Sequence, residues 1–99
     1  MMFRPSLPPS AAYVEGALKG QRVIQVACGL SHTLALTDRG TVYSWGGAFR
    51  GALGLGDFTD RFEPFEVKDL PPCGFVAASN VSLAVSKEYR QLYVWGENK

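Results

Sequence analysis

Residues 26–48 read VACGLSHTLALTDRGTVYSWGGA, and residues 75–98 read FVAASNVSLAVSKEYRQLYVWGEN. Laid over each other, they pair Leu34 with Leu83, Ala35 with Ala84, Tyr43 with Tyr93, Trp45 with Trp95 and Gly46 with Gly96. The offset is 49 residues in the first half of the stretch and 50 in the second, so one residue has been added where TDRGT is answered by KEYRQ. Self-similarity at such a period is the mark of a repeat architecture, in which one supersecondary unit buries its apolar face against the next.

Each unit is built of short segments with strand character. Val23–Ala27 is rich in β-branched residues, Thr33–Thr37 alternates Thr and Ala with Leu34 and Leu36, and Thr41–Trp45 carries Val, Tyr and Trp. Between the last two, Asp38-Arg39-Gly40 offers Asp to open a type I turn and Gly for the left-handed position after it, which predicts an antiparallel hairpin over residues 32–45. A fourth strand is expected at Glu63–Val67, starting around Pro64, because proline is tolerated at a strand's beginning or on an edge. Strand alternation sends Tyr43 and Trp45 to one face and Val42 and Ser44 to the other; in LYVWG the second face is Leu92 and Val94. A small antiparallel sheet that is apolar on both faces needs cover on both, as stacked propeller blades provide. No segment shows a 3.6-residue period, so the fold class is all-β.

Composition narrows the function classes. The chain has 99 residues, 46% apolar and 19% charged, with 11 Gly and 6 Pro, which describes a small, loop-rich globular chain with a modest core. Ten Lys and Arg against nine Asp and Glu leave a net charge of +1, no electrostatic footprint for nucleic acid or an anionic membrane. The two cysteines, Cys28 and Cys73, stand in no metal-binding array and read as reduced thiols. Residues 1–13, MMFRPSLPPSAAY, are broken by Pro5, Pro8 and Pro9 where a secretory signal needs an unbroken apolar run, and read as an irregular leader. No run approaches the ~18 apolar residues of a spanning helix. Cytoplasm or nucleus is the expected location.

Several stretches invite a chemical reading. Gly51-Ala-Leu-Gly54-Leu-Gly56 resembles a phosphate cradle, but it runs on into DFTDRFEPFEV, which supplies neither the helix of a dinucleotide fingerprint nor the Lys and Ser/Thr of a P-loop. It reads as a glycine-shaped turn. His32, the single histidine, lies near Cys28 and Ser31. Side chains four apart on a strand are about 13 Å from each other, too far for proton transfer, and the second unit has Val81 in place of His32. A structural histidine, its ring bonded to backbone near the strand start, is expected. Tyr43, Trp45, Tyr93 and Trp95 lack the interleaved basic residues of a nucleic-acid stacking platform and read as packing residues. Lys87-Glu88-Tyr89-Arg90 reads as a solvated hairpin tip, and Asp57, Asp60, Glu63, Glu66 and Asp69 are too scattered for a calcium loop or a carboxylate pair. The expectation is no catalytic residue, no metal and no cofactor.

The order ACG-L-SHT-L-ALT-DR-G-TVY-S-WG, followed by G-A-LG-L-G and by Pro64, Val67 and Leu70, resembles the repeat of the regulator of chromosome condensation family. Kelch repeats have a similar period and late Tyr and Trp, but are led by a double glycine and lack the ACG-SHT-ALT series. The resemblance divides the chain into the leader (1–13), the end of a preceding unit (14–22), a full unit (23–70) and a truncated, degenerate unit (71–99). In the last, Ala78 stands for Gly29 and Val81 for His32; Ala48 and Ala52 take places where the family usually has Asn and Gln. The resemblance implies a seven-bladed propeller of antiparallel blades used as a protein-interaction surface. Members include an exchange factor for the Ran GTPase that binds chromatin, regulatory domains of ubiquitin ligases, ciliary GTPase-associated proteins and a plant ultraviolet receptor. The chain would supply about one and a half to two blades of an incomplete propeller. It is expected to be a non-catalytic piece of a larger propeller that regulates a small GTPase by nucleotide exchange, or alternatively a ubiquitin-ligase or chromatin-binding repeat. The expected partner is a protein, without membrane or nucleic acid, and exposed faces and edges favour self-association.

Overall fold

Hairpin chemistry and two-sided apolar strands lead to two small antiparallel sheets packed face to face. The computed structural model describes residues 16–47, 53–56 and 59–96. A 3₁₀ turn at Gly16–Leu18 precedes β1 (Val23–Cys28), β2 (His32–Thr37), β3 (Val42–Gly46) and β4 (Arg61–Glu66), which form one sheet in the order β1-β2-β3-β4. Then β5 (Cys73–Ala78), β6 (Val81–Ser86) and β7 (Leu92–Gly96) form a second sheet in the order β5-β6-β7. The leader over 1–13, and Ala48, Gly51, Ala52 and Asp57, lie outside the described residues.

The repeat is structural, with one correction to the alignment read from sequence. Strand register makes Ala78 the counterpart of Cys28, not of Gly29, because the loop between β5 and β6 is one residue shorter than that between β1 and β2. A register shift falls between Val23 and Gln25 in the β1–β2 pair and again between Cys73 and Phe75 in β5–β6. The first hairpin connects Leu36 to Val42 and the second connects Val85 to Leu92, which is the added residue read from the sequence. Gly40 supplies the left-handed turn position in the first hairpin at φ 85°, and Arg90 takes that conformation in the second at φ 57°. Thr37 Oγ1 accepts from the Thr41 amide at 3.3 Å, and Ser86 Oγ accepts from the Gln91 amide at 2.9 Å, so both turns are closed by a hydroxyl at the same position.

The fourth strand starts earlier than the sequence suggests, at Arg61, and carries Pro64 inside it. β4 is an edge strand, and its ladder with β3 is irregular between Ser44 and Gly46, so the missing Pro64 N–H leaves no central ladder bond unmade.

The core is the seam between the sheets. Leu34, Leu36 and Val42 from the first sheet, Val67 from the connection, and Cys73, Val76 and Ala84 from the second are all buried there, with Ala27, Leu55, Leu70, Ala78 and Trp95 packed around them. Burying one such aliphatic side chain is worth about 1.5–3 kcal/mol. Polar bonds set the registration. Gln25 donates from Nε2 to the Val76 carbonyl at 2.9 Å and accepts the Val76 amide at Oε1 at 3.1 Å, so one carboxamide serves as a partner strand for one residue of β5. The Cys73 amide donates to the Gly40 carbonyl at 2.8 Å, and the Leu30 amide to the Ser79 carbonyl at 3.0 Å. On the far side of the first sheet, Leu18, Ala35 and Tyr43 form a smaller cluster with Trp45.

Replacing Gln25 with Ala removes both bonds to Val76 and leaves its amide and its carbonyl unpaired at the seam. We expect a loss of about 1–3 kcal/mol in urea unfolding. A loss below about 0.5 kcal/mol, the level of an inconsequential surface change, would remove the carboxamide from the set of seam-forming contacts.

Candidate functional site

The residues that carry chemistry converge on the rim of the seam, where they are held by structural bonds. His32 opens β2 and is buried, and its Nε2 lies 2.8 Å from Ser82 Oγ in β6. The expected backbone partner is therefore replaced by a hydroxyl across the seam. Desolvation by burial lowers the His32 pKa from the ordinary value of 6.5, so the ring is neutral at physiological pH. Gly29 lies against this ring: a Cβ there would stand 2.3 Å from the Ser79 carbonyl oxygen and 2.4 Å from His32 Cε1. Glycine is needed because histidine and the neighbouring loop occupy the space.

The thiols do not join this group. Cys28 is exposed at the end of β1, whereas Cys73 is buried, donates to the Pro71 carbonyl at 3.2 Å and has its pKa raised by desolvation. A reactive thiol needs the opposite shift. Both cysteines are free.

The glycine-rich stretch is a packing turn. Gly54 and Gly56 take φ values of 69° and 86°, and a Cβ on Gly54 would meet Trp95 Nε1 at 2.6 Å. The indole of β7 thus rests on the backbone of the loop. Leu53 of the same loop is fully buried, and its carbonyl accepts from Ser44 Oγ at 2.7 Å. The turn's shape is used by Trp95 and Ser44, with no strand-to-helix step around it among the described residues.

The aromatic residues divide between packing and surface. Tyr43 is buried beside Leu18, and Trp45 packs on the same cluster. Tyr93 is half-buried and, with Tyr89, Pro71 and Pro72, lines an open groove of about 440 Å³ at the second hairpin. Glu63 and Glu66 lie on β4, and among the described residues no group of three or more His, Cys, Asp or Glu could hold a metal ion. No helix in the described residues is long and apolar enough to cross a membrane.

Sequence reading passes over Gln25 and Ser82. Gln25 is the one polar residue among the apolar side chains of VIQVAC, and a lone polar residue inside such a strand is the signal that marks it. Ser82, by contrast, offers no local signal, since its partner is 50 residues away.

Models described as the Regulator of chromosome condensation (RCC1) repeat match residues 23–51 and 39–85. The chain is 40% identical over 86 residues to the mouse X-linked retinitis pigmentosa GTPase regulator, covering 83% of this chain and 8% of that protein. It is 36% identical over 85 residues to the RCC1 domain-containing protein RUG3, mitochondrial, of Arabidopsis thaliana, covering 84% of this chain and 19% of that one. Among solved structures, Prp20p from Saccharomyces cerevisiae, described with its binding properties to Gsp1p and histones, superposes with a TM-score of 0.70 at 24% identity over 92% of this chain and 22% of Prp20p. The chain therefore spans less than a quarter of each of these proteins.

The neutral His32 gives stability a pH dependence of defined sign. The unfolded chain takes up a proton near the ordinary histidine value while the folded chain still excludes it, so this contribution is complete above about pH 6.5 and declines as pH falls toward the lowered value. Urea midpoints measured from about pH 8 to pH 5 should fall in the native chain and fall less in His32→Gln. Equal slopes in the two proteins would exclude His32 as the source.

Proposed function

The chain belongs to the regulator of chromosome condensation (RCC1) repeat family, a pair of stacked antiparallel propeller blades, and we propose that it acts without catalysis, as a protein-binding part of a small-GTPase regulator. The observation that carries this reading is where the chemistry sits: His32 and Ser82 are buried and bonded to each other, Cys73 is buried, and Gly54 is filled by Trp95. What is left for a partner is shape and apolar surface. Leu30, Phe62 and Tyr89 project from a loop, an edge strand and a hairpin tip at 82%, 93% and 75% exposure. Protein interfaces draw on such aromatic and aliphatic anchors, placed on loops and edges that a rigid scaffold positions.

The small-GTPase part of the reading rests on two relatives, one named as a GTPase regulator and one described with binding to Gsp1p. Histones in the latter description support a chromatin-linked alternative. At net charge +1, that alternative would work through protein contacts and not through DNA phosphates. The proposed setting is the cytoplasm or nucleus. The mitochondrial name of the plant relative sets the rival location, which a fluorescently tagged chain would reveal by co-localisation with a mitochondrial dye.

Binding is the decisive measurement. Immobilised chain is expected to give saturable interferometry binding to nucleotide-free Gsp1p, weakened when excess GDP is added and weakened about tenfold by Phe62→Ala or Tyr89→Ala, the loss of one exposed anchor. Saturable binding to histones with none to Gsp1p would transfer the proposal to the chromatin-linked reading. No saturable binding to either would overturn the assignment.

A further inference from the structure

Positive charge gathers where the strands reverse. Four segments meet at one end of the molecule: residues 19–22 ahead of β1, the β2–β3 turn at 38–41, the β4–β5 connection at 67–72 and the β6–β7 turn at 87–91. Backbone bonds tie them in series. The Asp38 amide donates to the Arg22 carbonyl at 2.9 Å, the Cys73 amide to the Gly40 carbonyl at 2.8 Å and the Lys87 amide to the Pro72 carbonyl at 2.8 Å.

These segments hold Lys19, Arg22, Arg39, Lys68, Lys87 and Arg90 against Asp38, Asp69 and Glu88, a net charge of +3 in a chain whose total is +1. The near-neutral total therefore conceals a polarity, since Arg61 is the only other Lys or Arg among the described residues. Lys19, Arg22, Arg39, Lys87 and Arg90 are all exposed, and among the described residues none of the five forms an ion pair. Lys68 reaches Glu66 at 4.0 Å. Like charges gathered without counter-ions raise a positive potential over this end.

Two hollows open in the same turns. One, of about 240 Å³, is lined by Gly20, Gln21, Arg22, Asp38 and Arg39, so two guanidinium groups border it. The other is the groove of about 440 Å³ walled by Pro71, Pro72, Tyr89 and Tyr93, with Lys87 beside them. Guanidinium forks match carboxylates, and an aromatic and proline-lined groove takes an apolar side chain. Because the turns stand at the ends of strands, off the sheet faces, blade stacking does not cover them.

We propose that this turn end docks an acidic segment of a partner protein. An apolar residue of the segment seats between Pro71, Pro72, Tyr89 and Tyr93, and its Asp or Glu side chains pair with Lys87, Arg39 and Arg22. Asp38 and Glu88 lie in the same turns as Arg39 and Arg90. They oppose the unbroken charge of a phosphate backbone, whereas a peptide places carboxylates only where a cation meets them. The proposal rests on the protein-binding reading and not on its GTPase part, so failure to bind Gsp1p leaves it standing.

Fluorescence anisotropy on the full chain tests it, with a fluorescein-labelled peptide in which Asp and Glu flank a central Phe-Leu pair. The native chain should bind the peptide saturably, and about tenfold more weakly when salt rises from about 0.1 M to about 1 M and the Debye length falls from ~10 Å to ~3 Å. Arg39→Glu and Lys87→Glu should each weaken binding about fivefold or more, with unchanged far-ultraviolet circular dichroism because both positions are exposed and unpaired. Arg39→Gln or Lys87→Gln replaces a variant whose spectrum changes. Serines in place of the probe's Phe-Leu pair should weaken binding about tenfold. Asn80→Asp, in the exposed β5–β6 turn at the opposite end, alters net charge and should leave binding unchanged. A peptide that does not bind saturably overturns the proposal, as does a loss in Asn80→Asp equal to that in Lys87→Glu. Duplex DNA or phosphatidylserine vesicles bound as tightly as the peptide would overturn it too, by assigning the surface to phosphates.

Discussion

A sheet of three or four short strands cannot shelter its own backbone and side chains, and here the constraint is sharper because both faces of each sheet are apolar. The Gln25 carboxamide is the most central of the directional contacts that register the two sheets, beside the Cys73–Gly40, Leu30–Ser79 and His32–Ser82 bonds. By donating to and accepting from Val76, it fixes β5 against β1 at a point where no strand ladder runs between the sheets. Leu34, Leu36 and Val42 then meet Val76, Ala84 and Trp95 in a defined registration. Apolar contact alone would permit sliding, whereas two directional bonds to the amide and carbonyl of one residue do not.

The hairpins are legible in the sequence because their determinants are local. Asp38 and Gly40 carry the turn, and the repeat offset locates the added residue in the second turn, with Arg90 taking the glycine's conformation there. The alternation of Tyr43 and Trp45 against Val42 and Ser44 is equally readable, since faces follow from a period of two. What escapes is everything decided across the seam. The sequence marks His32 as structural, but its bond to Ser82 joins residues 50 positions apart, and neither the strand pattern nor the spacing contains that distance. Gly54 is readable as a turn glycine, while the seat it makes for Trp95 depends on how the second sheet docks. Pro64 marks the edge strand correctly and its start incorrectly, because an irregular ladder lets the strand run on either side of it.

Family membership and chemistry point the same way at different resolutions. Repeat identity establishes the blade, and blades serve as scaffolds whose partners are chosen by loops and edges. His32 and Ser82 are buried and bonded to each other, and Cys73 is buried and bonded to the Pro71 carbonyl. Each holds a position in the packing of the two blades. Of these three, His32 alone belongs to the first unit, and Val81 stands at its place in the second, so the second unit carries no histidine at that position.

The placement of the two tryptophans has an optical consequence. Trp95 stands in the seam on Gly54, its Nε1 buried without a hydrogen-bond partner among the described residues, and Trp45 lies with Leu18 on the opposite side of the first sheet. An indole without a polar neighbour emits toward the blue and moves toward the red when water reaches it. Each side of the first sheet therefore carries its own chromophore. With one tryptophan exchanged for phenylalanine at a time, emission would resolve parting of the sheets from loosening of the outer cluster.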